Sequence, residues 1–459
     1  MHFLRQHRVV LAIFALALVV RFLYLGVSYY VDGGNLIQAI SGADGYFIVS
    51  QNLIQGHGLS SDIAPPYMPY SFRPPIYHFF IFGSYFAFGG YWGVIIAQIV
   101  VGSMLAVLSY YLASCLTENK KVWAAVGVLM ALEPSSILYS TMFYSEIVFM
   151  FWFFLSLLAL FVYMRRAQRV YLFLSAELLG LATLTRPTTE FLPILLLGAV
   201  VWFNRKSLTK KVLIDVGGYV LLFLLVLAPW VYRNYQVFGT AEISPLAGVS
   251  LYTVLLPTVY SIERGTSFQQ EYNTLHDQGV LGPNEAPVSV GGEYTRIAIP
   301  LLLAHPKALV ISLANSGLNF FVQDGVFDFL RHIKIRPHEM LGKPATFAII
   351  SHPLNGIRYA ERNIISAVGI ILLGRVTWIV FTVTAIIGVW WSARRKLLTP
   401  PALLSVAIIL YFALTSSITG FGLTSRYRMP VNPLILTFAC IGISVVWPLI
   451  LRRIRRHHA

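Results

Sequence analysis

Apolar runs long enough to cross a membrane recur ten times along this chain, near 9–29, 92–116, 122–139, 147–164, 170–185, 188–203, 212–232, 365–391, 399–418 and 430–451. Each approaches or reaches the roughly 17–25 residues that a helix needs to span a bilayer. With 57% of its 459 residues hydrophobic, 12% charged and a mean hydropathy of +0.70, the chain holds more apolar surface than a water-soluble fold can bury. The sequence predicts an all-α polytopic membrane protein: a bundle of about ten transmembrane helices, with interfacial helices on the outer face and a long outer segment.

The charges orient this layout. Placing the N-terminus in the cytoplasm collects 18 basic residues in short inner segments, among them Arg5, Arg8, Lys120, Lys121, Arg165, Arg166, Arg205, Lys206, Arg394, Arg395 and the tail cations Arg452 to Arg456. The short outer turns hold three, Arg186, Arg426 and Arg428. Cytoplasmic short loops carry the Lys and Arg excess of a membrane protein, so both termini are expected inside the cell membrane with an even number of spans. The net charge of +15 then records orientation and contact with anionic lipid heads, and nucleic acid is not an expected partner. The N-terminal apolar run lacks a small-residue cleavage pattern, so an uncleaved first helix is expected. Cys115 and Cys440 lie in apolar helix ends and suggest neither a disulfide nor a metal site.

Three regions follow. Residues 1–232 form a transmembrane module whose first outer loop, 30–91, carries the expected site. Residues 233–364 form a long extracytoplasmic segment with turn signals at Gly279, Gly282-Pro283, Pro287 and Gly291-Gly292. Residues 365–459 supply the last helices and a basic cytoplasmic tail. The stretch 76–88 is too short to span and suits the interface. The apolar stretch 297–322 is broken by His305-Pro306-Lys307 and is expected as an interfacial or re-entrant helix rather than two spans.

Polar islands gather at the outer ends of these helices: Asp44-Gly45-Tyr46, Arg73-Pro74-Pro75, Ser145-Glu146, Thr185-Arg186-Pro187, Arg233-Asn234 and Arg426-Tyr427-Arg428. Each has a plain explanation on its own. Asp44 suits the cap of a helix starting at Tyr46, or a general base at the water interface. Arg73, held extended by the prolines behind it, suits either a lipid headgroup or a substrate phosphate, which its planar fork grips in two places. Glu146 gains from the positive end of its helix, and Glu133, ending the preceding helix before Pro134, is the weaker candidate. Arg186 has Glu190 one turn on, as an ion-pair partner or as a neighbour in a phosphate site. Arg233 closes a helix, where cations are favoured. Glu177 falls mid-helix, where an acid is costly, and is expected to pair with a polar side chain on a neighbouring helix. Together the outer cations form a cluster that membrane charge bias opposes. No nucleotide-binding loop, zinc-spaced His/Cys cluster or nucleophile elbow is found in the sequence.

The order of these islands resembles the GT-C membrane glycosyltransferases, in particular the bacterial family-39-like group related to protein O-mannosyltransferases and the lipid A aminoarabinose transferase. The resemblance rests on Asp44-Gly45-Tyr46 with the run Gln51 to Gly58, Arg73-Pro74-Pro75-Ile76-Tyr77, Tyr144-Ser145-Glu146, the run Leu181 to Pro187, the run Pro229 to Asn234, and Arg426-Tyr427-Arg428-Met429-Pro430. It implies a sugar donor carried on a polyprenyl phosphate and an extracytoplasmic lipid, glycan or protein acceptor. It further implies inversion at the anomeric carbon, with Asp44 as the catalytic base and Glu146 in the same cavity. Arg73, Arg186, Arg233 and Arg426 would bind the donor phosphate. Gly45 stands where many members of the family have a second acid. No cofactor or metal is implied, although a divalent cation is compatible. The alternative is a flippase or transporter of lipid-linked glycans, but transporters set their polar residues near the bilayer midplane.

Overall fold

The computed structural model describes residues 8–42, 44–203, 210–277, 288–335, 367–420 and 425–457. Arg5, Arg205, Lys206, the turns at Gly279, Gly282-Pro283 and Pro287, and the end of the long outer segment lie outside them. Every regular element among the described residues is helical.

The chain opens with α1 (Arg8–Val31), followed by the short α2 (Leu36–Ile40) and α3 (Tyr46–Ile54). Next come α4 (Ile76–Phe88) and the long α5 (Tyr91–Leu116). A bent pair follows, α6 (Lys120–Leu132) and α7 (Pro134–Ser140), and then α8 (Glu146–Arg166), α9 (Arg169–Thr183), α10 (Leu192–Phe203) and α11 (Lys210–Phe238). Among the described residues, eight helices are long and apolar enough to cross a membrane, or up to ten if each bent pair counts as one span. α5 packs against α1, α6 and α8, and α9 lies between α8 and α11, so one apolar core runs through the bundle.

Prolines and buried cations set the breaks. α6 and α7 meet at 53° because Pro134 starts a new helix there and Glu133 caps it, accepting from the Ser136 N–H at 2.6 Å. Carbonyls freed at such a break need donors. Arg21, fully buried in α1, supplies them: it donates to the carbonyls of Ala131 and Ala17 and to the hydroxyls of Ser136 and Ser140.

Three spans depart from expectation. The stretches 170–185 and 188–203 become α9 and α10, of 15 and 12 residues, because the Thr185-Arg186-Pro187 turn ends one helix and Pro187–Thr189 winds as a 3₁₀ turn before the next. The third lies within the long outer segment. There α12 (Leu246–Arg264) is long and apolar enough to cross a membrane, although Ser, Thr and Tyr dilute its apolar signal, and a π-helical turn at Ser250–Leu255 lies within it. Its buried face joins Val49, Tyr70 and Phe72 of the first loop in a second core. α13 (Phe268–Asp277) covers it.

The apolar stretch around 297–322 forms α14 (Gly291–Leu303) and α15 (Pro306–Val322), bent by 108° where Pro306 restarts the helix. That bend suits a broken or re-entrant segment. The short α16 (Val326–His332) leads on toward the closing helices α17 (Ala367–Arg394), α18 (Pro400–Ser417) and α19 (Asn432–His457), with α17 packed along α19 and α15 along α18.

Candidate active site

Five segments far apart in sequence bring their charges together at one end of the bundle. The first is the turn after α2. Its backbone is tied to the 141–146 loop by the Phe143 N–H, which donates to the Ile40 carbonyl at 2.7 Å. The approach is close enough that a Cβ on Gly42 would sit 2.8 Å from the Phe143 carbonyl oxygen. Two residues beyond Asp44 the chain enters α3, and Gly45 makes that turn at φ +73°, a conformation that side-chain-bearing residues rarely adopt.

Arg73 comes next, with its guanidinium 4.8 Å from the Tyr46 ring centroid. The chain on either side is fixed: Ser244 Oγ donates to the Phe72 carbonyl at 2.8 Å, and the Ile76 N–H donates to the Leu184 carbonyl at 3.1 Å. This second bond binds the Arg73 segment to the end of α9, just before Arg186. Glu146 opens α8, where the helix N-terminus favours a carboxylate. Arg426 lies on a 3₁₀ turn between α18 and α19, over the rings of Tyr144, Tyr139 and Tyr427.

The charges alternate in a line. Arg73 Nη1 lies 3.2 Å from Asp44 Oδ2, and Arg426 Nη2 lies 2.7 Å from the same oxygen. Arg426 Nε then reaches Glu146 Oε1 at 2.7 Å, which Arg186 Nη1 also reaches at 2.6 Å. Three cations and two anions leave one positive charge in excess within the line. The side chains of Asp44 and Glu146 are only 16% and 3% exposed, and Glu146 Oε2 is buried with no hydrogen-bond partner. Removing this much charge from water is costly, and ion pairs seldom recover more than the loss, so the line is poorly explained as a stabilising device. Burial alone would lift the Asp44 carboxyl, but Arg426 and Arg73 outweigh it and hold the group well below the usual carboxylate range. Arg426 is likewise driven above its ordinary value, Glu146 and Asp44 overcoming its burial.

Asp44, Arg73, Arg186 and Arg426 form one wall of a cavity of about 360 Å³, with Glu146 buried behind them. Thr188, Glu190, Ser250, Tyr411 and Thr415 contribute to its lining, and Phe191 and Ile418 give it an apolar side. Tyr411 and Thr415 were not anticipated from the sequence, although their four-residue spacing on the mostly apolar α18 was a readable polar stripe.

The structure brings Asp44, Arg73, Glu146, Arg186 and Arg426 together; Arg233 it does not. That side chain stacks between Trp230 and Phe238, 4.8 and 5.1 Å from their ring centroids, and donates to Asn234 Oδ1. Its motif serves the site through neighbours instead: Trp230 Nε1 donates to the Ile243 carbonyl and Asn234 Nδ2 to the Glu242 carbonyl, pinning the loop that carries Ser244. Arg428 turns into the bundle, 3.4 Å from the Trp378 centroid, and donates to Asn432 Oδ1 and the carbonyls of Phe320 and Gln323. Glu177 is exposed on α9, with no hydrogen bond or ion pair among the described residues, so the expected partner on a neighbouring helix is not found. Arg186 pairs with Glu146 rather than Glu190. No group of three or more His, Cys, Asp or Glu side chains suited to a metal occurs among the described residues.

Residues 73–232 match the family model of dolichyl-phosphate-mannose-protein mannosyltransferases. The match bears out the GT-C glycosyltransferase resemblance over about a third of the chain. It holds Arg73, Glu146 and Arg186, while Asp44 and Arg426 lie outside it. No curated protein matches. Among solved structures, the oligosaccharyltransferase AglB from Archaeoglobus fulgidus, in complex with an inhibitory peptide and a dolichol-phosphate, is similar over 96% of this chain and 52% of its own, at 12% identity and a TM-score of 0.49. The chain thus spans about half the length of that protein. ArnT from Cupriavidus metallidurans bound to undecaprenyl phosphate is similar over 96% of this chain and 78% of its own, at 14% identity and a TM-score of 0.40.

Proposed function

We propose that this protein is a membrane glycosyltransferase that moves a sugar from a polyprenyl-phosphate donor to an extracytoplasmic acceptor, inverting the anomeric carbon. The observation that carries the reading is the line of three arginines and two acids, with one positive charge to spare, whose arginines and Asp44 wall the cavity. The family match over residues 73–232 supports it.

In this reading the donor phosphate enters beside Arg73, Arg186 and Arg426, and its lipid tail leaves along the apolar side of the cavity. An acceptor hydroxyl or amine attacks the anomeric carbon from the face opposite the phosphate. The bond from that carbon to the phosphate oxygen breaks, its electron pair stays on the phosphate, and the acceptor proton passes to Asp44. Both arginines contact Asp44 Oδ2, so Oδ1 is the oxygen assigned to the proton. A carboxylate held so low is a weak base until substrate binds. The donor phosphate relieves this by drawing Arg73 and Arg426 partly onto itself, which raises the basicity of Asp44 at the step that needs it. The same arginines stabilise the negative charge growing on the leaving phosphate; one such positioned donor is worth roughly 3 kcal/mol. A divalent ion is not required by this scheme. Both termini are assigned to the cytoplasm, which puts the cavity on the extracytoplasmic face.

The test is transfer or release of label from a panel of polyprenyl-phosphate sugars in membranes holding the wild type or Asp44→Asn. Turnover with at least one donor, lost in the variant, is the expected result. A folded wild type that turns over no donor while moving lipid-linked glycan across the bilayer would replace the enzyme with a transporter.

A further inference from the structure

The carboxylate on the opposite side of the turn from Arg186 is left over by the scheme above. Glu190 lines the same cavity as the arginine line, yet its carboxylate has no hydrogen bond or ion pair among the described residues. Its obvious partner, Arg186, is taken by Glu146 at 2.6 Å. Glu242 lies near enough to act on Glu190 through its charge but is itself engaged at the start of α14, where it accepts from the Gly292 N–H. Burial and the Glu242 charge both raise the Glu190 carboxyl. A half-buried acid without a donor is an unfavourable arrangement that a ligand with hydroxyls would relieve.

Beside it, Thr188 Oγ1 is buried, lines the cavity and has no hydrogen-bond partner. The turn that carries both residues is held in place, because the Tyr411 hydroxyl donates to the Thr188 carbonyl at 2.8 Å. Arg186 and Glu190 flank the 3₁₀ turn Pro187–Thr189.

We infer that Glu190, with Thr188, reads the sugar of the donor, its carboxylate accepting hydrogen bonds from ring hydroxyls while the arginines hold the phosphate. This rests on the donor reading above and adds the specificity-determining residue. The other acid among the described residues lining the cavity, Asp44, already faces guanidiniums.

The experiment measures equilibrium binding to purified protein in lipid nanodiscs. The probes are an unsugared polyprenyl phosphate and the same lipid phosphate bearing a hexose or a pentose. Wild type is expected to bind its preferred sugar-bearing lipid more tightly than the bare one. Glu190→Gln should lose on the order of tenfold or more of that preference. It should bind the bare lipid phosphate at least as tightly as wild type, since a neighbouring negative charge has been removed. Glu190→Asp, which keeps the charge, should recover part of the preference, and thermal unfolding of each variant checks that the fold is intact. The inference is overturned if Glu190→Gln keeps the preference within twofold, or if wild type binds no sugar-bearing lipid better than the bare one. A wild type that does not bind the bare lipid phosphate, or an Arg73→Ala variant that binds it unchanged, defeats the donor reading itself.

Discussion

Arg21 and Arg428 are fully buried in the bundle and donate to main-chain carbonyls, serine hydroxyls and an asparagine amide. Arg73, Arg186 and Arg426 are nearly as sheltered but face carboxylates along a cavity. The first pair satisfies acceptors that the fold has orphaned, at the α6–α7 break and at the end of α15. The second set has charge left over and open space in front of it. The kind of partner, rather than burial or charge, separates an arginine that holds the bundle together from one that can hold a substrate.

Substitutions can break that distinction. The largest effect is expected at Asp44→Asn, which keeps the shape but cannot take a proton; transfer should fall by about 10²–10⁴-fold, measured per folded molecule. Arg73→Ala should lower kcat/KM for the donor by roughly 10–100-fold while the acceptor KM stays within about threefold, read from initial rates with each substrate varied. If donor and acceptor suffer equally, Arg73 is no phosphate ligand.

Arg21→Met should show the opposite pattern. Leaving the Ala131 carbonyl and two serines without their donor should destabilise by about 1–3 kcal/mol in a thermal or denaturant melt, with turnover per folded molecule nearly unchanged. A smaller effect follows from the depressed Asp44 carboxyl. A group whose folded value lies below its unfolded one adds stability above the unfolded value and loses it as pH falls toward the folded value. The stability gap between wild type and Asp44→Asn should therefore be flat from about pH 5 to 8 and narrow only below about pH 4. The smallest change is expected at Arg233→Gln, where donor kinetics should stay within about threefold; a tenfold loss would put Arg233 back among the phosphate ligands.

Much of this site could be read in the chain, because each island marks a helix end and helix ends that alternate sides return to the same face. Asp44, Arg73, Glu146, Arg186 and Arg426 are found together for that reason. Spacing along a helix misled in two places. Glu190 follows Arg186 at the interval of an intrahelical ion pair, but a 3₁₀ turn at Pro187 separates them and Arg186 pairs with Glu146 instead. Arg233 ends its helix on the expected side, yet the aromatic rings of Trp230 and Phe238 hold it away from the cavity. α12 escaped for a different reason. Its Ser, Thr and Tyr residues lower its hydropathy to 1.3, the lowest among the candidate spans.

Among the described residues, Arg426 is the one guanidinium that touches both acids of the line, and it arrives 382 residues after Asp44. During synthesis the membrane therefore holds a half-made protein in which Asp44 and Glu146 have been delivered and their shared counter-ion has not. Until the turn before α19 docks, that end of the bundle carries two sheltered carboxylates with Arg73 and Arg186 alone to balance them. Such a chain is charge-neutral there rather than cationic, with no surplus to attract an anionic lipid. Under the proposed function, competence for the donor would be conferred last, by the final helices.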